Sequence, residues 1–241
     1  MNVLGVILAR AGSVGLPNKH LLALMGQPVI GHTFAHARAA KRLTRTVVST
    51  DCPHVRIMAT AAGLHAIERP PHLATSEASV QDAMLHAMDA VEANSRFRAD
   101  ALVVLYGNVP VRGDGMIDRA IAMLADTGCD SVRTFCEVGK WHPAWMSKLS
   151  DDGIVEPLHP GSIHRRQDLE PLLLHDGGAV VVSRASMLRG RENPSDPHAF
   201  FGGDRRGVRT EQGEVVEVDH QRDLYWAEAV LRDRRGMRRA S

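Results

Sequence analysis

Aromatic residues are scarce in this chain: Phe, Trp and Tyr together make up 4% of 241 residues, so any core must be built from aliphatic side chains. Cysteine is scarcer still. Cys52, Cys129 and Cys136 are odd in number and show no C-x-x-C spacing, which argues against a disulfide framework and a cysteine zinc site. A dominant charge is missing as well. With 29 Lys and Arg against 28 Asp and Glu, the formal net charge is +1, too weak a field to predict binding to nucleic acid or a membrane, so any partner must be held by a local site. No apolar run approaches the roughly 20 residues that span a bilayer. The start, MNVLGVILAR, has neither a basic leader nor a small-residue cleavage site, so a cytoplasmic location is expected.

What is present is an alternation of short apolar runs and helical patterns in a chain of ordinary globular composition, 44% hydrophobic and 24% charged. VLGVILA (3–9) reads as a strand buried on both faces. A helix follows from Pro28, placed at its first position, then a strand at 44–50, a helix at 53–63 and a strand at 64–69. A helix at 76–93, a strand at 100–106 and a helix at 115–128 continue the order. This βαβα succession predicts an α/β fold: an open, mostly parallel sheet with helices on both faces. Residues 137–176, rich in Pro, His and Asp, read as an insertion. Strands are then expected at 178–183 and 214–219, with a loop at 191–207 between them. A C-terminal helix follows, ending in a solvated, fraying tail over 232–239.

Ligands of such sheets bind beyond the carboxyl ends of the strands. The first loop there is ARAGSVGLPNKH (9–20). Gly12 and Gly15 permit positive φ and close backbone approach, and Arg10 and Lys19 bring two cations to phosphate oxygens. A turn with solvated charges is the alternative. The loop matches neither G-x-x-x-x-G-K-[ST] nor G-x-G-x-x-G, which speaks against a P-loop NTPase and a dinucleotide-binding dehydrogenase. Glu217 and Asp219, at i and i+2, would project from one face of a strand and could share one cation, although acids at that spacing are common on solvated faces. Arg165 and Arg166 offer planar donor forks to a carboxylate, or pair with Asp168 and Glu170.

LARAGSVGLPNKH resembles the P-A-R-x-G-S-K-G-x-x-x-K-N signature of the CMP-sugar synthetases, the acylneuraminate cytidylyltransferases. STD (49–51), ERPPHLATSEAS (68–79), LYGNVPVR (105–112), RRQDL (165–169) and VEVD (216–219) resemble further motifs of that family, in order and across nearly the whole chain. The resemblance implies one nucleotidyltransferase domain over 1–241, a Rossmann-like sheet carrying a dimerisation insertion at about 137–176. It implies transfer of CMP from CTP to a 2-keto sugar acid with release of pyrophosphate, assisted by Mg²⁺, in a homodimer without nucleic-acid or membrane partners. Carried over by motif, Arg10, Lys19 and Asp219 would be catalytic. Arg10, Ala11, Gly12, Ser13, Lys19, Arg69, Ser79 and Tyr106 would contact the nucleotide, and Arg165, Arg166, Gln167 and Asp168 the sugar. Glu217 and Asp219 would hold the metal.

The chain departs from the pattern at Val14, where the family has Lys, at His20 (Asn), at Tyr106 (Gln) and at Glu217 (Asp). The departures keep two other readings open: a related enzyme using another nucleotide or a sugar 1-phosphate, and a non-catalytic nucleotide-sugar binding protein. His32 and His36 have the i, i+4 spacing of a zinc pair, but HTFAH lacks the glutamate of H-E-x-x-H, so packed or solvated histidines are expected. Asp51 either orients a ribose or metal or caps the helix that follows it. Trp141, Trp145 and Met146 are expected to pack within the insertion, with sugar stacking open for Trp141.

Overall fold

The computed structural model describes residues 1–12, 15–159, 161, 163–176, 180–190, 196 and 198–240, the side chains of 237–240 excepted. In chain order its main elements are β1 (Val3–Leu8), α1 (Val29–Ala39), β2 (Arg45–Thr50), α2 (Pro53–Ala61), β3 (His65–Glu68), α3 (Val80–Ala93) and β4 (Ala101–Tyr106). Then come α4 (Met116–Thr127), β5 (Ser131–Glu137), β6 (Leu173–His175), β7 (Val181–Arg184), α5 (Ala185–Arg189), β8 (Arg205–Thr210) and α6 (Gln221–Ala240).

β1 reads as one apolar run because its two faces feed different cores. Val3 and Ile7 point to the layer formed by α1, α2 and α4, and Leu4, Val6 and Leu8 to the layer formed by α3 and α5. β4 divides in the same way, Val103 and Leu105 on one side and Leu102 and Val104 on the other. Each fully buried Val, Leu or Ile stabilises the fold by roughly 1.5–3 kcal/mol relative to exposure, so a polar residue at any of them would weaken both sheet and helix layer.

The eight-stranded sheet runs β3-β2-β1-β4-β7-β5, with β6 and β8 also on β5. The pairings among β3, β2, β1 and β4 are parallel, which gathers the loops after these strands at one end. β7 is antiparallel to both β4 and β5. Val132 is opposed by both Val182 and Arg206, and Phe135 by both His175 and Arg209, so β8 holds one side of β5 while β7 and β6 share the other.

Several boundaries differ from the sequence expectation. Segment 214–219 is not a strand: its only ladder contact is a bridge from Val216 to Val111. Val216 and Val218 are buried with Leu24, Val29, Val111 and Ala227 in a third cluster, and this burial produces the alternation that imitates a strand. The expected loop at 191–207 gives way to β8 from Arg205, while 191–195 and 197 lie outside the described residues. The strand expected at 178–183 runs over Val181–Arg184, with 178 and 179 outside the described residues. β5 was not anticipated. The helix expected from 76 begins at Val80, because Ser79 caps it by accepting the Asp82 N–H. Pro28 precedes α1 rather than opening it.

Between Glu137, which ends β5, and Leu173, which begins β6, the described residues of 138–172 add no strand to the main sheet. They carry a small antiparallel ladder between Ser147–Leu149 and Val155–Pro157, with Leu149, Ile154, Val155, Trp141, Trp145 and Met146 exposed in the single chain, where Trp145 Nε1 donates to the Ile163 carbonyl at 2.9 Å. The tail expected over 232–239 is instead part of α6, and Arg234 is docked: it donates to the carbonyls of Arg112 (2.8 Å) and Glu214 (3.0 Å). Among the described residues no helix is long and apolar enough to cross a membrane.

Candidate functional site

The loop after β1 lies over the carboxyl end of the sheet and is held from several directions. Asp51, next after β2, accepts the Ala11 N–H at 2.7 Å through Oδ1, and the N-cap of α2 is Cys52 rather than Asp51. Gly12 has φ +71°, and a Cβ on Gly15 would lie 2.9 Å from the Asp219 carbonyl oxygen, so both glycines meet a steric requirement. Arg10 donates to the Gly12 carbonyl at 3.0 Å. Ser13 and Val14 lie outside the described residues. Lys19 reaches across to Asp219, Nζ to Oδ1 at 2.6 Å. His20 is buried beside Gly107; burial, with Lys19 next to it, pushes its imidazole down to about 4, so it is neutral.

Leu8, Arg10, Gly15, Lys19, His20, Ala78, Val80, Tyr106, Asn108 and Asp219 thus enclose a cleft of about 330 Å³. Four residues named from the sequence, Arg10, Lys19, Tyr106 and Asp219, meet in it. Arg69 stands behind: it is buried and donates to Ser49 Oγ (3.1 Å) and the Ser49 carbonyl (2.8 Å), and burial lowers its guanidinium to about 10 while Asp51 opposes the shift. Ser79 is engaged with Asp82 as the α3 cap, so its neighbours Ala78 and Val80 face the cleft instead.

The wall of the cleft is built on Asn108, which lies within the LYGNVPVR stretch and carried no role of its own there. Its Nδ2 donates to Glu217 Oε1 (3.2 Å), Asp219 Oδ1 (3.1 Å) and the Val218 carbonyl (3.2 Å). The two acids therefore converge without the strand that was expected to align them. Burial and the neighbouring Asp219 push the Glu217 carboxyl up to about 7, and burial with Glu217 raises the Tyr106 phenol. Asp223 fixes the Asp219 backbone by accepting the N–H groups of Asp219 (3.1 Å) and His220 (2.8 Å). Arg112, fully buried, braces the loop from behind by donating to the carbonyls of Tyr106 (2.9 Å) and Val109 (2.6 Å), and burial lowers it to about 9. His32 bonds to Gln27 and to the Leu24 carbonyl, and His36 meets Arg112, so neither is a zinc ligand here.

On its other side the wall opens into a second cleft of about 440 Å³ in which Glu217 is joined by Asp176, His175, Lys140, Trp141, Arg166 and, from α6, Trp226. Arg166 is the member of the arginine pair that faces it. Arg165 is exposed and bound twice by Asp168 (2.8 and 3.2 Å), the self-paired alternative, and Gln167 lines a separate recess at the base of the arm. Lys140 and Trp226 were not singled out from the sequence: Lys140 sits in no motif, and Trp226 lies in a helix read only for its periodicity.

The cytidylyltransferase family model matches residues 4–223. The chain belongs to the cytidylyltransferase family. Among curated cytidylyltransferases it is similar to the N-acylneuraminate cytidylyltransferase of Streptococcus agalactiae, 32% identical over 192 residues, covering 78% of this chain and 45% of that protein. It is also similar to the 3-deoxy-manno-octulosonate cytidylyltransferase of Brucella anthropi, 37% identical over 131 residues, 54% of this chain and 49% of that one. The chain thus spans about half the length of the curated relatives it matches. Among solved structures, the CMP:2-keto-3-deoxy-manno-octonic acid synthetase complexed with CTP superposes with a TM-score of 0.70 at 20% identity, over 97% of this chain and all of that one, which establishes the shared fold.

Proposed function

We propose that this cytidylyltransferase moves the CMP group of CTP onto the anomeric hydroxyl of a 2-keto sugar acid and releases pyrophosphate. The observation that carries the proposal is the shared wall: Asn108, Glu217 and Asp219 stand between a cleft lined by Arg10 and Lys19 and a cleft lined by Arg166 and Lys140. The first suits a triphosphate; the second suits a sugar bearing a carboxylate, which the guanidinium fork of Arg166 can take up. The names of the relatives support both substrate classes.

The hydroxyl oxygen forms a bond to the α-phosphorus while the bond from that phosphorus to the oxygen bridging it to the β-phosphate breaks. The hydroxyl's proton passes to solvent water and pyrophosphate leaves. Lys19 and Arg10 stabilise the charge growing on the leaving group. Asp219 and Glu217, hard oxygen donors converging on one amide, fit Mg²⁺, which takes one or two carboxylates and completes its shell with phosphates and water. Bound there, the ion would neutralise charge on the phosphates. The exposed apolar side chains of 138–172 support a homodimer in which a second copy covers the arm, and dependence on CTP supports a cytoplasmic location. Light scattering at micromolar concentration reads the dimer; an active monomer would remove it.

The test is pyrophosphate release across CTP, GTP, ATP and UTP, each with N-acylneuraminate, a 3-deoxy-octulosonate and a sugar 1-phosphate. CTP with a 2-keto acid is expected to turn over. Turnover with a 1-phosphate alone overturns the acceptor, and turnover with GTP alone overturns the nucleotide.

A further inference from the structure

We infer that Asn108 is a positioning residue that divides the two acids between the clefts, holding Asp219 toward the phosphates and Glu217 toward the acceptor. The inference rests on the cytidylyl-transfer reading above. Asn108 is 4% exposed and sits two residues beyond β4, where its backbone is already committed: the Val218 N–H donates to the Asn108 carbonyl at 2.7 Å. Its side chain returns a bond to the Val218 carbonyl and reaches both carboxylates at 3.1 and 3.2 Å. A side-chain amide has two hydrogens, so three oxygens share them and one group fixes both acids at once.

The two acids are held by different partners. Lys19 reaches Asp219 at 2.6 Å, so one acid has a cation in contact. Glu217 faces the second cleft, and its hydrogen-bond donor is the Asn108 amide. With the amide gone, Glu217 loses the donor that holds its Oε1 against the wall and can swing into the second cleft, which has the room for it. Arg112, bonded to the carbonyls of Tyr106 and Val109 on either side, keeps the backbone of residue 108 from following. Asn108 is thus the neutral counterpart of Lys19: the lysine orients one acid by charge, and the amide orients the pair by hydrogen bonding.

Partners that orient metal-binding side chains without touching the metal typically contribute about 10–100-fold in metal affinity. Mn²⁺ binding is measured by isothermal titration in the presence of a non-hydrolysable CTP analogue, with thermal unfolding as the check on folding. Asn108→Ala is expected to weaken Mn²⁺ by about tenfold or more. In a Glu217→Gln background the same substitution should change Mn²⁺ affinity by less than about threefold, because the carboxylate ligand that Asn108 holds in place is already lost. Asn108→Ser, which keeps one shorter donor, is the second variant and should fall between. Equal losses in both backgrounds, or no loss in either, overturn the inference and leave cytidylyl transfer standing if the unmodified chain releases pyrophosphate. An unmodified chain that binds neither Mn²⁺ nor the analogue overturns both.

Discussion

Replacing His36 with Gln should flatten the acid side of the stability curve by an amount that follows from its surroundings. His36 lies in α1 against the buried guanidinium of Arg112, and burial, then Arg112, push its imidazole down to about 3 from 6.5. A base whose folded value is depressed contributes stability that is complete above 6.5 and is lost as pH falls toward the folded value, because the unfolded chain takes up a proton that the folded chain refuses. Between pH 7 and pH 5 this amounts to about 2 kcal/mol for one such histidine, at 1.36 kcal/mol per pH unit once the unfolded side chain is protonated. His20, lowered to about 4, adds about as much again. Glu217 acts in the opposite sense: raised to about 7, it lets the folded chain hold a proton that the unfolded chain releases, so its contribution grows as pH falls toward the carboxylate range. The unmodified chain therefore mixes opposed slopes, and the comparison between variants isolates one of them. Urea unfolding at pH 7 and pH 5 should show His36→Gln losing about 2 kcal/mol less than the unmodified protein over that interval. Identical losses would refute the claim that His36 is held neutral against Arg112.

Lys19→Ala should lower kcat/KM by about 100-fold or more by taking a cation from the developing pyrophosphate; unchanged kinetics in a folded variant would remove Lys19 from the mechanism. Arg166→Ala should raise the KM for the sugar acid by roughly 30-fold while Arg165→Ala, whose guanidinium is already bound by Asp168, changes it by less than about threefold. The reverse order in steady-state assays would exchange their roles. Trp226→Ala should weaken the acceptor and spare CTP, since Trp226 lines only the second of the two clefts, and equal effects on both KM values would contradict that placement.

The parts of the fold that were legible were those where packing and pairing coincide. β1 and β4 pair with each other at the centre of the sheet and are buried on both faces, so an unbroken apolar run announces them. β5 was missed because SVRTFCE mixes Arg133, Thr134 and Glu137 into a strand whose buried positions include Ser131 and Thr134. β8 was missed because RRGVRT lies at the margin of the sheet with its arginines exposed and only Val208 and Thr210 buried, which reads as a basic loop. Segment 214–219 failed the other way, since its valines are buried without a ladder. At the site, Arg10, Lys19, Glu217 and Asp219 were legible through their motifs. Asn108 was not, because its role arises from two segments about 110 residues apart meeting in space, and no local pattern encodes that meeting.

Whether the Asn108 wall separates a triphosphate cleft from an acceptor cleft is decided by a crystal structure of the protein with Mg²⁺, a non-hydrolysable CTP analogue and a 2-keto sugar acid. The phosphates are expected against Lys19 and Arg10, the α-phosphorus beside Asp219, and the sugar carboxylate on Arg166 across the wall. A triphosphate in the cleft of Trp141 and Trp226, or both ligands on the same side of Asn108, would contradict this arrangement.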